Sequence, residues 1–138
     1  MASRDERDAR AHFEERYGIR GNRAAALLEE RVIGAVWGAN GYTTRAQADD
    51  LHDHLALTRG SRLLDIGTGR GWPALYLAQR SGCTVVGTDL PLAALNKARA
   101  RAKREGLADR SAMVVASGAT LPFPPRTFDA IVHTDVLC

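Results

Sequence analysis

The stretch Arg62-Leu63-Leu64-Asp65-Ile66-Gly67-Thr68-Gly69-Arg70-Gly71 decides the fold. Arg62 to Ile66 is short and mostly apolar, as a parallel strand buried inside a domain is. Glycines follow at three alternate positions, and a helical pattern opens at Trp72-Pro73, where proline suits a first turn. Strand, glycine turn and helix in that order hold an adenosine-bearing cofactor at the carboxyl edge of a sheet.

The spacing of the glycines separates the cofactors. A dinucleotide fingerprint reads G-x-G-x-x-G. Gly67 and Gly69 fit it, but Trp72 stands at the third glycine position and Gly71 comes one residue early. Asp65, two residues before the first glycine, would repel a pyrophosphate and suits a ligand carrying positive charge. No Gly-Lys-Ser/Thr follows, which excludes a phosphate loop. S-adenosylmethionine has a sulfonium, an ammonium and no phosphate, and it fits these residues better than a nucleotide does.

Asp65-x-Gly67-x-Gly69-x-Gly71 resembles the first motif of class I S-adenosylmethionine-dependent methyltransferases. Asp89 resembles that family's ribose-binding acid. Leu121-Pro122-Phe123-Pro124 and Phe128 to Val132 resemble the segments around its fourth strand, so the likeness runs from about Ser61 to the C-terminus. The resemblance implies an α/β fold: a Rossmann-like, doubly wound parallel sheet of strand order 3-2-1-4 with helices ahead of it. Residues 1–57 then read as a helical cap or lid, or alternatively as helices simply packed on the sheet, and residues 58–138 as the cofactor-binding core. The family's sheet has three further strands. Val136-Leu137-Cys138 carries no cap or turn, and the expectation is a partial core, or a protomer completed by another chain.

Composition bounds the rest. The 138 residues suffice for one domain with a real core. Hydrophobic content of 45% and charged content of 25% are those of a soluble globular protein. The formal charge of +3 is small and partly local, in Lys97, Arg99, Arg101, Lys103 and Arg104. That cluster reads as a solvated helix face; no aromatics are interleaved for base stacking, which argues against nucleic acid. Cys83 and Cys138 form neither a disulfide framework nor a ligand spacing, and the histidines do not cluster with them, so no metal is expected. Cys83 reads as a packing residue. No apolar run approaches a membrane span, and the charged start, Ser3 to Asp8, is not a secretory signal. The expected location is the cytoplasm.

Along the chain, Ser3 with Glu6 makes a capping box, and Ala9, Phe13 and Tyr17 recur at helical spacing up to Gly18. A second helix is predicted from Arg23 to about Trp37, with Leu28, Val32 and Val36 as its apolar stripe and Gly38 its end. Trp37 to Thr44 is a glycine-rich loop with two aromatics. By the resemblance, Tyr42 and Thr43 lie near the methionine part of the cofactor, where an aromatic face gains from a sulfonium; alternatively Trp37 and Tyr42 anchor a turn. Thr44 with Gln47 is a second capping box, opening a helix with Ala48, Leu51 and Leu55 on one face.

Thr58 to Ser61 is a turn. The helix after the glycines carries Ala74, Leu75, Leu77 and Ala78 and stops at Ser81-Gly82. Thr84 to Thr88 is the second strand, rich in β-branched residues. Asp89 follows directly, 22 positions after Gly67, near the ~20-residue gap of a ribose-binding acid. Two ribose hydroxyls can donate to one carboxylate; alternatively Asp89 caps the helix beginning at Pro91. Leu92, Leu95, Ala98 and Ala102 face inward on that helix, with basic residues gathered at its dipole-favoured end and Gly106 as its cap. Ala112 to Ala116 is the third strand. The expected cofactor contacts are Asp65, Gly67, Thr68, Gly69 and Gly71 at the bend, Asp89 and Leu90 at the second strand's tip, and His133 after the fourth. Ser117, Gly118 and Ala119 complete them beside the adenine. The family often has an acid at the place of Ser117, and here the sequence departs from that pattern.

His133 and Asp135 fall at the carboxyl end of the fourth strand, beside the expected methyl donor, and are the candidates for a general base. The competing readings are a solvated histidine and an aspartate capping a following helix. The leading function is methyl transfer from S-adenosylmethionine to a small-molecule acceptor. A module that binds the cofactor without turnover and a nicotinamide dehydrogenase are its rivals. Self-association through the uncovered edge of the fourth strand is a further expectation.

Overall fold

A computed structural model of the chain describes residues 3–18, 21–39 and 41–135. Asn40 and Val136 to Cys138, which enter the readings above, lie outside the described residues. In order come α1 (Arg4–Gly18), α2 (Arg23–Ile33), α3 (Arg45–Leu55), β1 (Arg62–Ile66), α4 (Ala74–Ser81) and β2 (Thr84–Asp89). Then follow α5 (Leu92–Arg104), a 3₁₀ turn (Ala108–Arg110), β3 (Ser111–Val115) and β4 (Ala130–Val132).

The four strands form one parallel sheet in the order β3-β2-β1-β4. The chain steps outward from β1 through β2 to β3, then returns to the other side of β1. The order therefore reverses between β1 and β4, and in open α/β sheets the crevice at the carboxyl end of such a switch is where ligands bind. Leu63 lies opposite Val85 and Ala130, and Asp65 opposite Gly87 and Val132. Leu63, Val85, Met113 and Val132 meet Leu75, Leu77, Ala78, Leu95, Ala98 and Leu107 in the main core. On the other face Leu64 is buried, while Ile131 is 54% exposed.

Both capping boxes form as predicted. Ser3 N–H donates to Glu6 Oε2 at 2.8 Å and Glu6 N–H to Ser3 Oγ at 3.1 Å. Thr44 and Gln47 exchange bonds of 2.9 and 3.2 Å. Leu107 N–H reaches back to the Ala102 carbonyl at 2.8 Å, and Gly106 takes φ +69° in the turn that closes α5.

Four expectations need correction. α2 ends at Ile33, four residues early, because Gly34 adopts φ +79° and returns its N–H to the Glu30 carbonyl. Its apolar stripe does not face the core: Leu28 is 64% exposed, with Val32 and Val36 also at the surface, and the buried residue is Ile33. In α5 Leu92 is exposed, and Ala94 takes its place among the buried residues. β4 is three residues long; Phe128 and Asp129 precede it, with the Asp129 carboxylate accepting the Arg62 N–H at 2.7 Å.

The basic residues of α5 are more than a solvated face. Lys97 donates to the Tyr17 carbonyl at the end of α1, and Arg101 to the Val36 carbonyl at 3.0 Å while lying 5.0 Å from the Trp37 ring. Arg99 reaches the Met113 carbonyl at 2.6 Å. Cationic side chains thus satisfy carbonyls that the N-terminal segment and β3 present.

Burial on the α4/α5 face sets most of the packing energy. Leu77→Ala should cost about 2–5 kcal/mol, whereas Ile131→Ala should stay within roughly 1 kcal/mol. Urea midpoints at unchanged slope would show the contrast, and comparable losses would mean that both faces of the sheet carry the core equally.

Candidate functional site

At the carboxyl tips of β1 and β2 the backbone bends sharply. Gly67 and Thr68 both donate to the Thr88 carbonyl, at 2.8 and 2.9 Å, which fixes the start of the bend to the neighbouring strand. Gly69 N–H then donates to Asp89 Oδ2 at 2.7 Å, and Leu90 N–H to Asp89 Oδ1 at 2.8 Å. Asp89 does not cap α5, whose N-cap position is Pro91 and which receives no side-chain cap hydrogen bond. It is half-buried, and desolvation raises its pKa against the lowering effect of the two N–H groups.

Two of the three glycines answer to different constraints. A Cβ on Gly71 would sit 2.5 Å from Leu75 Cδ1, at a backbone φ of +93°, so packing and conformation demand glycine there. A Cβ on Gly69 would lie 2.9 Å from the Tyr17 hydroxyl. The space over Gly69 is therefore filled by α1, and a ligand lying on the bend has to share or displace the Tyr17 ring. Arg70 places its guanidinium 5.3 Å from that ring and donates to the Gly38 carbonyl at 3.4 Å.

Beneath the bend is a polar cluster with unmet demands. Asp65 is 1% exposed, and neither of its oxygens has a hydrogen-bond partner; nor does the buried Thr68 Oγ1. Burial pushes the Asp65 pKa up to about 8, with the nearby Thr68 hydroxyl opposing the rise and the Asp89 carboxylate adding to it. A buried carboxyl group without a donor is costly to the fold unless it is protonated or meets a positive charge.

Across the switch point, Asp135 Oδ2 accepts from Tyr42 N–H at 3.0 Å, Thr43 N–H at 3.1 Å and Thr43 Oγ1 at 2.8 Å. Gly41 leaves room for this clamp, since a Cβ there would run into the Asp135 carboxylate. The Thr43 carbonyl accepts the Trp72 indole N–H at 2.8 Å. Trp72, the residue that breaks the dinucleotide fingerprint, thereby anchors the loop from the other side. Tyr42 is 83% exposed, Thr43 is buried and His133 lies at the surface. A groove of about 420 Å³ opens beside the clamp, bordered by Tyr42, Thr43, Gln47, Leu51, His54 and Thr134 among others.

Beyond β3, Ser117 Oγ donates to Glu6 Oε1 of α1 at 2.6 Å, and Ala119 N–H to Ser117 Oγ at 3.2 Å. Gly118 stands over β1, where a Cβ would come within 3.0 Å of Ile66 Cγ2. Sequence reasoning missed Glu6, Glu14, Tyr17 and Trp72, which contact Ser117, Ala93, the Gly69 bend and the Thr43 loop respectively. It also missed Asp49, which takes the Tyr76 hydroxyl at 2.5 Å and pairs with Arg80, joining α3 to α4. The described residues hold no group of three or more metal-ligating side chains, and no helix among them is long and apolar enough to cross a membrane.

Asp65 gives stability a definite pH dependence. Its folded pKa is raised above its unfolded value near 3.9, so its contribution is fully present below about pH 4. That contribution is lost as pH rises toward about 8. Asp65→Asn should remove this loss, so the variant should resist urea better than the native chain at pH 9 and hold no such advantage at pH 4. An identical pH profile in the two would show that Asp65 is not buried as described.

The profile of the methyltransferase-domain family matches residues 63–138. The chain is 37% identical over 83 residues to the methyltransferase GfsG of Streptomyces halstedii, covering 60% of this chain and 30% of that protein. It is 34% identical over 95 residues to 24-methylenesterol C-methyltransferase 2 of Oryza sativa subsp. japonica, covering 69% of this chain and 26% of that one. The chain thus spans less than half the length of these relatives. Among solved structures, geranyl diphosphate methyltransferase in complex with GPP and sinefungin superposes with a TM-score of 0.74 at 26% identity, over 96% of this chain and 56% of that one. The dehydrogenase reading finds no support beside these, and the sheet order is the one the resemblance implied. With more than half its length matched by the family profile, and with the strand order and glycine bend to go with it, the chain belongs to the methyltransferase-domain family.

Proposed function

We propose that the chain binds S-adenosylmethionine along the carboxyl edge of its sheet and serves methyl transfer to a small-molecule acceptor. One observation carries this reading. The Gly67–Gly71 bend is joined to Asp89 at the adjoining strand tip, above an Asp65 carboxyl group that no protein donor meets. These residues fit the cofactor's chemistry. A carboxylate has about four lone-pair sites, so Asp89 keeps capacity for ribose hydroxyls beyond the two backbone N–H groups it accepts. Asp65, held largely protonated at neutral pH by its burial, would ionise as a counter-charge when a cationic ligand approaches.

In this proposal Leu90 lines the ribose end and Ser117, Gly118 and Ala119 border the adenine. Tyr42, Thr43 and His133 stand toward the methionine end. When bound, the sulfonium supplies an electrophilic methyl group for in-line displacement by an acceptor's lone pair. The protein's part is to align the two partners and exclude water, and alignment alone reaches effective molarities of ~10⁵ M or more. His133, exposed after β4, is the proposed group to take a proton from a hydroxyl or amine acceptor. Asp135 is committed to the loop through Oδ2 and acts as a clamp. A small-molecule acceptor is supported by the substrates named for the rice and geranyl diphosphate enzymes.

Calorimetry with S-adenosylmethionine and S-adenosylhomocysteine, followed by transfer assays over a panel of small nucleophiles, tests the reading. Asp89→Ala should weaken cofactor binding by about 1–3 kcal/mol, the cost of losing a charged hydrogen-bonding partner. An unchanged dissociation constant, or binding of NAD in place of S-adenosylmethionine, would overturn it. Self-association is a second feature of the proposal, supported by β4, whose outer edge pairs with no other strand among the described residues and carries exposed Ile131. Sedimentation should then show a concentration-dependent rise in mass, and a strict monomer would remove this feature.

A further inference from the structure

α1 touches every strand tip on which the nucleoside is proposed to lie. Glu6 holds Ser117 beyond β3, Glu14 Oε1 accepts the Ala93 N–H in the first turn of α5 at 2.9 Å, and Tyr17 stands over Gly69. The helix therefore lies along the carboxyl edge from the end of β3 to the bend after β1.

With ribose on Asp89, the base can extend toward β1 or toward β3. The β1 side carries the bend and the Asp65 carboxyl group, which suit the charged end of the ligand. The base then extends toward β3, where Ala116 N–H donates to the Asp89 carbonyl at 3.1 Å and Ser117 comes next. The β3 tip itself has no acid: Ser117, Gly118, Ala119 and Thr120 are neutral. The carboxylate found there comes from α1.

We propose that Glu6 is the adenine-recognising group of this site, its carboxylate accepting the exocyclic amino group of the cofactor from the helix that crosses the sheet edge. This rests on the nucleoside placement proposed above. Glu6 is well fixed for the task. The capping box ties its Oε2 to the Ser3 N–H, and Ser117 holds Oε1, leaving lone pairs on both oxygens. The Ser117 hydroxyl is the main cause that holds its pKa below the usual carboxylate value. An ionised carboxylate welcomes an amino donor and repels a carbonyl oxygen. The site should therefore reject a 6-oxopurine, because an acceptor would then face an acceptor.

The test compares S-adenosylhomocysteine with S-inosylhomocysteine, which differ at C6 and in the proton that the 6-oxo base carries on N1, by calorimetry on the full chain. The native protein should bind the adenosyl compound at least 10-fold more tightly. In Glu6→Gln, whose amide can donate as well as accept, the ratio should fall to within about threefold of unity. The ratio is internal to each variant, so a loosened α1 that weakens both compounds alike does not imitate the result. Equal binding of the two compounds by the native chain, or an undiminished preference in Glu6→Gln, overturns the Glu6 assignment and leaves cofactor binding standing. Failure of the native chain to bind either compound overturns the nucleoside reading itself.

Discussion

The Gly69 N–H donating to the Asp89 carboxylate is the bond on which the rest of the site depends. It joins the turn after β1 to the tip of β2, so the bend cannot drift independently of its neighbour. Its acceptor sits where desolvation already raises the cost of ionisation, and the N–H groups of Gly69 and Leu90 offset part of that cost. Thr88, one residue earlier, takes two more N–H groups of the bend on its carbonyl. The glycine turn is thus held by the next strand as much as by its own sequence.

The N-terminal third of the chain is docked on this scaffold by polar groups as much as by apolar ones. Ile33, Ala48, Trp72 and Tyr76 form a second apolar cluster, with Trp37 packed at 5.7 Å from Trp72. Around it the backbone is collected by charged side chains. Glu29 Oε1 takes the N–H groups of Trp37 and Ala39, Asp135 takes those of Tyr42 and Thr43, and Lys97 and Arg101 take carbonyls. An irregular segment cannot be buried with its backbone groups unpaired. Charged side chains at these positions let a loop without secondary structure lie against the core.

Local features were legible in the sequence, and distant ones were not. The capping boxes, the strands and the Gly82 and Gly106 stops involve residues within a few positions of one another, so spacing alone reveals them. The predicted helix runs through Gly34 because Val36 and Trp37 carry the apolar period past it, although its φ of +79° ends the helix. The stripe on α2 failed for another reason: periodicity shows that a helix has an apolar side but not that the side is covered. Ser117 to Glu6 spans 111 positions, Thr43 to Asp135 spans 92, and the Trp72 to Thr43 contact spans 29. No local pattern encodes such pairs. Trp72 breaks the dinucleotide fingerprint and opens the helical pattern, and its indole N–H, which also needs an acceptor, finds the Thr43 carbonyl.

Asp65 shows why a site of this kind resists a purely structural account. As part of a core it is a poor choice: a carboxyl group at full burial with no donor weakens the fold at neutral pH. The same burial makes it a strong partner for a cation, because charges interact more strongly where water is excluded. A neutral side chain of similar size would pack there without the desolvation cost and would give no attraction in return. The bend, the orphaned acid and the tethered Asp89 are therefore best understood together. In the proposed reading a cationic nucleoside at this edge would meet the acid and the tethered Asp89 together, which gives the costly burial of Asp65 a purpose.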